Sequence, residues 1–194
     1  MILGVTGPFA SGKSYAVSYF RRKGFGVIDV DTIGHEVLER PNVQTALRKA
    51  FGPAVFFESG RVDRKKLGSL VFGRSGPLKK LNHIVHPAMI NEVQKRLDLK
   101  NAGQVIDAAL LFEMGLDRFC DKIILVSSPV KEILKRGMKR NGFGAGRIKS
   151  ILASQRSLNA NRLKSHFQLE NDATLGAFRK KLAAVYTTIK NPGR

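Results

Sequence analysis

Residues 7–14, Gly7-Pro8-Phe9-Ala10-Ser11-Gly12-Lys13-Ser14, fit the pattern G-x-x-x-x-G-K-[ST]. Each residue type has a task at its position. Glycines let the backbone turn tightly and aim its N–H groups at phosphate oxygens. A helix opening at Lys13 adds the positive end of its dipole. Lys13 would reach the β- and γ-phosphates of a nucleoside triphosphate, and the Ser14 hydroxyl would bind Mg²⁺. A second constellation is Asp29-Val30-Asp31, which closes the next apolar run. If that run is a strand, alternation puts both carboxylates on one side of the sheet, and the turn beyond can reorient Asp31. One carboxylate could take a proton from an acceptor hydroxyl while the other orients it or holds metal through water. Helix capping by Asp31, which precedes Thr32 and a helical run, is the alternative.

The elements that must position these groups read as follows. Residues 1–6 form a buried strand, and Lys13–Lys23 a helix stopped by Gly24. Gly26–Asp31 is a second strand. Asn42–Phe51 and Arg64–Phe72 are short helices, and Leu78–Leu99 has a helical period that Pro87 is expected to kink or interrupt. Gln104–Ala109 and Lys122–Val126 are continuous apolar runs of the kind buried on both faces. Glu132–Lys139, Arg147–Leu158 and Ala173–Ile189 read as helices, with a strand at Phe167–Glu170. Strands alternating with helices predict an α/β fold with a doubly wound parallel sheet. Ligands of such sheets bind beyond the carboxyl ends of the strands.

The 194 residues favour one domain, and 43% hydrophobic content supports a real core, which excludes wholesale disorder. The longest uninterrupted apolar stretch, Ala108–Phe112, is far short of the ~20 residues that cross a bilayer. A single cysteine, Cys120, cannot form an internal disulfide, and the amino terminus has no basic region of secretory type. A cytoplasmic location is expected. The net charge of +19 raises three polyanionic partners: nucleic acid, an anionic membrane surface, or phosphorylated small molecules.

No guanine-reading Asn-Lys-x-Asp is present, and the chain is short for a motor ATPase or helicase. A small-metabolite kinase fits better, with an acceptor site beyond the second strand, a base and a basic lid. The chain resembles the dephospho-coenzyme A kinase family. The resemblance rests on Gly7–Ser14, Asp29/Asp31, His86-Pro87, Asp107-Ala108-Ala109-Leu110-Leu111-Phe112-Glu113, Arg136 with Arg140, and Glu170-Asn171-Asp172, in that order over roughly residues 1–185. It implies a three-layer P-loop NTPase fold with a parallel five-stranded sheet. The core would span about 1–31, 102–135 and 165–194, a coenzyme A-binding helical insertion about 32–101, and a helical lid about 136–164. The implied reaction is ATP-dependent phosphorylation of the ribose 3′-hydroxyl of dephospho-CoA, the last step of coenzyme A biosynthesis, with Mg²⁺ accompanying ATP.

The resemblance makes Asp31 the base, with Lys13 and Arg140 acting on the transferring phosphoryl group. Ala10, Ser11, Gly12, Lys13, Ser14 and Tyr15 would contact ATP, Ser14 also binding the metal. Asp29, His86, Glu113 and Arg136 would bind the acceptor. His86 could instead cap or kink its helix, and Glu113 could be a surface carboxylate. The chain departs from the family at Pro8-Phe9-Ala10, where Gly-Ile-Gly is usual: Pro8 removes one N–H donor, leaving those of Ser11 to Ser14, and Ala10 demands a backbone angle that alanine can hold. Ala109 replaces a proline, and Asn141 stands where an acid is common. Residues 131–164 hold ten Lys/Arg and one acid, Glu132, with Gly142, Gly144 and Gly146 able to form a hinge. A nucleic-acid-binding P-loop protein would use the same basic run, but the chain has no Trp and only three Tyr, and no stacking motif interleaves aromatics with the basic residues. Adenylate- or shikimate-type kinases are the closer alternative. The expected partners are ATP and dephospho-CoA, with neither nucleic acid nor membrane, in a monomer or weak homo-oligomer.

Overall fold

The apolar run ahead of the phosphate loop forms β1 (Ile2–Thr6), the central strand of a five-stranded sheet. In the computed structural model, which describes residues 1–71, 73–97, 103–154 and 162–191, the strand order is β2-β3-β1-β4-β5. The other strands are β2 (Gly26–Asp29), β3 (Gln104–Asp107), β4 (Lys122–Ser127) and β5 (Phe167–Glu170). β1 runs parallel to both β3 and β4, and β4 parallel to β5. Register pairs Val5 with Asp107 and Thr6 with Leu125, so β1 and β3 end within a residue of each other while β4 runs two residues further, to Ser127. Leu3, Val5, Val105, Ile124 and Val126 are buried, as a sheet covered on both faces requires.

Two compact units emerge: Met1–Ile28 with Asp98–Arg194, and Asp29–Leu97. In the first, α1 (Lys13–Arg22) buries Ala16, Val17, Tyr19 and Phe20. α8 (Leu175–Lys190), capped by Thr174, buries Phe178, Leu182 and Val185 in the same core. α6 (Val130–Asn141) and α7 (Ala145–Ser154) follow β4. Residues 155–158, expected to extend the α7 helix, lie outside the described residues. Cys120 is half-buried, and burial helped by the Asp117 and Asp121 carboxylates pushes its thiol up to about 12, so it stays protonated.

The second unit is helical: α2 (Val30–Val37), α3 (Pro41–Phe51), α4 (Arg64–Val71) and α5 (Ser75–Arg96). It spans 29–97, against about 32–101 expected for the insertion. α5 packs against α2, α3 and α4. Of the two outcomes expected at Pro87, a kink or an interruption, the interruption does not occur. Pro87 and His83, whose carbonyl loses its helical donor, are both exposed, so water can serve that carbonyl while Val85, Met89 and Val93 face inward. Strand β2 stops at Asp29, two residues early, and Asp31 lies in the first turn of α2. Asp29, not Asp31, is the cap: its carboxylate accepts from the Thr32 N–H at 3.0 Å.

Charge pairs tie these helices together. Glu92 on α5 accepts from Arg40 and, at 2.9 Å, from Arg96, which also pairs with Glu36. The Arg96 and Arg40 hydrogen bonds hold the Glu92 carboxyl below its usual range. A depressed carboxylate stabilises the fold above the unfolded value, ~4.3, and that contribution disappears as pH falls through the folded value. Glu92→Gln is therefore expected to unfold at lower urea concentration at pH 7. Its stability should also fall less steeply than the parent's between pH 5 and pH 3, as urea titrations across that range will show.

Candidate functional site

The phosphate loop leaves β1 against the backbone of β4. A Cβ on Gly7 would lie 2.2 Å from the Val126 carbonyl oxygen, so only glycine fits there. Ser11 N–H bonds the Pro8 carbonyl at 3.2 Å, closing a turn with Phe9 and Ala10 at its corners. Ala10 has φ 56, a left-handed angle that type II turns normally give to glycine. The amide of Ser11, expected to face phosphate, is therefore spent on Pro8 because the tight turn needs that bond. Gly12, with φ 106, caps α1 without any side-chain hydrogen bond. The amides of Gly12, Lys13 and Ser14 thus sit at a helix end whose first-turn N–H groups have no helical acceptors.

Lys13 forms an ion pair with Asp107, the last residue of β3. Both side chains are mostly buried, which strengthens the attraction relative to an exposed pair. The pair joins the loop to the carboxyl edge of the neighbouring strand. Asp107 has no role in the sequence reading, although the rule that ligands meet sheets at carboxyl ends marks it. Ser14 is exposed at the start of α1. Among the described residues no group of three or more His, Cys, Asp or Glu could hold a metal. Two oxygens, the Ser14 hydroxyl and the Asp107 carboxylate, nevertheless suit Mg²⁺, which takes few protein ligands when phosphates supply the rest.

A second assembly fixes the loop from behind. Asn171, just past β5, is buried and donates its side-chain N–H to the Ser11 carbonyl at 2.9 Å. Its own N–H bonds the Ser127 carbonyl at 2.8 Å. Its carbonyl accepts from the Ser128 hydroxyl at 2.7 Å and from Arg136 at 3.1 Å. Arg136 also donates to the Ser128 hydroxyl at 3.0 Å and approaches the Ser11 carbonyl at 3.5 Å. Sequence reading gave Arg136 a substrate contact and Asn171 none. In the structure Arg136 binds the frame of the loop, and Asn171 could have been found by its place at a strand's carboxyl end. Ser11 Oγ is buried without a hydrogen-bond partner among the described residues.

Of the remaining site residues, the Tyr15 ring packs on Phe178 at 6.0 Å and its N–H bonds the Gly12 carbonyl at 3.0 Å. Glu113 is exposed in the turn after β3. Arg140 belongs to α6, with its side chain outside the described residues. In the helical unit, Asp31 is exposed and His86 is half-buried within α5.

A sequence model of one family, described as dephospho-CoA kinase, matches residues 1–176. A dephospho-CoA kinase of Fusobacterium nucleatum is 39% identical over 191 residues, 97% of this chain and 98% of its relative. A crystal structure from Thermus thermophilus superposes with TM-score 0.81 at 30% identity, covering 96% of each chain. The dephospho-CoA kinase of Campylobacter jejuni superposes with TM-score 0.63 at 27% identity, covering 97% of this chain and 96% of that one.

Two stability effects follow from the loop geometry. Ala10→Gly releases a left-handed alanine and should raise the unfolding free energy by about 0.5–1 kcal/mol. Asn171→Ala strips a donor from the Ser11 carbonyl and should lower it by about 1–3 kcal/mol. Thermal unfolding of both variants, with and without ATP, checks the two signs.

Proposed function

The chain belongs to the dephospho-CoA kinase family, and we propose that it transfers the γ-phosphoryl group of ATP to the ribose 3′-hydroxyl of dephospho-CoA, giving coenzyme A and ADP. The observation that carries this reading is the Lys13–Asp107 pair at the joint carboxyl edge of β1 and β3, beside an uncapped helix end. A lysine, free amides and a carboxylate so placed form a triphosphate site.

Phosphoryl transfer asks a protein mainly for positioning and for charge opposite the equatorial oxygens. The amides of Gly12, Lys13 and Ser14 cradle the phosphates, and Lys13 exchanges its carboxylate partner for phosphate oxygens. Ser14 and Asp107 would hold Mg²⁺, which when bound neutralises part of the triphosphate charge. Asp31 accepts the 3′-hydroxyl proton as that oxygen attacks phosphorus in line with the departing ADP. Its support is local: Asp29 takes the capping task and leaves the exposed Asp31 carboxylate with no hydrogen bond or ion pair among the described residues. Asp29, His86 and Glu113 bind the acceptor, and Arg140 on α6 steadies the transferring group. Arg136 contributes by holding the loop and α6 in register. The α6–α7 segment acts as the lid.

Two measurements test this. ADP release should be stimulated by dephospho-CoA and not by adenosine, AMP or shikimate; stimulation by AMP or shikimate alone overturns the acceptor. Asp31→Asn should fold and bind ATP yet lose turnover by roughly 10²-fold or more, the upper range for a general base. Near-parental turnover removes Asp31 from the mechanism.

A further inference from the structure

Phe9 occupies a corner of the Pro8–Ser11 turn. Its ring stacks on Phe143, with centroids 6.0 Å apart and planes inclined by 18°. Phe143 lies in the Gly142-Phe143-Gly144 turn that joins α6 to α7. The Arg147 guanidinium, from the first turn of α7, sits 4.0 Å from the centroid of the Phe143 ring. Gly137, inside α6, makes room for this arrangement: a Cβ there would stand 2.9 Å from Phe9 Cε1 and 2.8 Å from Ile148 Cδ1. Glycine within a helix costs about 1 kcal/mol relative to alanine, and here its missing side chain lets Phe9 and the buried Ile148 approach α6.

We propose that Phe9 is a positioning residue for ATP: its stack on Phe143 joins the phosphate loop to the α6–α7 turn, so that loop and lid adopt their ATP-holding arrangement together. The inference rests on the reading of the loop as the ATP site and α6–α7 as the lid. Phe9 touches no reacting atom. It transmits the position of the α6–α7 turn to the Ser11–Ser14 backbone through the turn whose left-handed Ala10 is its neighbour. Stacked rings are attractive beyond their buried area, and Arg147 over the Phe143 face adds a cation–π contact. Removing either ring removes the same contact, so the two losses should not add.

The test is a double-mutant cycle on the full chain. Phe9→Leu and Phe143→Leu should each raise the KM for ATP by about 5-fold, more than they change kcat, and the double variant should raise it by no more than ~8-fold. Phe9→Tyr, which keeps the ring, should restore the parental KM. Effects that multiply to ~25-fold, or single variants with parental KM, overturn the proposal. A second readout needs no acceptor. The chain lacks tryptophan, so Phe143→Trp supplies a unique indole whose emission should change on adding ATP with Mg²⁺. Adding Phe9→Leu should abolish that change; an identical response with and without Phe9 also overturns the proposal. A Phe143→Trp protein that responds to ATP but does not phosphorylate dephospho-CoA would count against the acceptor, not against the stack.

Discussion

The closeness of the phosphate loop to the ends of β4 and β5 is the constraint on which the site depends. Gly7 lies so near the Val126 carbonyl that no side chain fits, and Gly12 so near the Asn171 amide that a Cβ would come within 2.3 Å of it. Parallel register brings Val126 and Ser127 to that place, because β1 pairs with β4 and β4 with β5 without a slip. Asn171 then spans the gap, bonded by its backbone to β4 and by its side chain to the Ser11 carbonyl. A buried carbonyl at a tight loop needs such a donor, since leaving it unpaired costs about 1–3 kcal/mol. Arg136 and Ser128 extend the same network to α6. Sheet register, rather than any property of the loop alone, thus sets the direction in which its remaining amides point.

A loop fixed from behind can accommodate strain in front. Ala10 is the one non-glycine residue with positive φ among those described, a conformation costing roughly 1 kcal/mol or more. It is retained because the turn is closed by the Ser11–Pro8 hydrogen bond and gripped at Ser11 by Asn171. Lys13 is held in the opposite sense, by an attraction that a ligand can replace. Its partner Asp107 is itself anchored by β3–β1 pairing, so the lysine is held at the carboxyl edge of the sheet.

Much of this was legible in the sequence, for identifiable reasons. The loop pattern is local and its glycines report close approach, so Gly7–Ser14 and the helix beyond could be read directly. Continuous apolar runs revealed the buried parallel strands, because burial on both faces removes alternation. What could not be read depends on contacts distant in the chain. Asp107 meets Lys13 across 94 residues, and Asn171 meets Ser11 across 160. Local rules also misled where tertiary packing prevailed. Pro87 looked like a break, yet α5 packs against three helices and exposes the proline side to water. Asp31, ahead of Thr32, looked like the cap, yet β2 ends two residues early and the capping falls to Asp29.

The charge of +19 takes a different meaning once the acids are located. Glu36, Glu39, Asp63, Glu92, Asp107, Glu132 and Asp172 are each paired with a lysine or arginine. Pairs of this kind cancel locally and contribute little at distance. The surplus of basic residues is therefore expressed as net field, over a range limited to ~8 Å by physiological salt. ATP and dephospho-CoA are both polyanions, and a field of that reach acts on them only close to the protein, where it favours capture rather than affinity. Net charge bears in general on solubility and non-specific association rather than on fold.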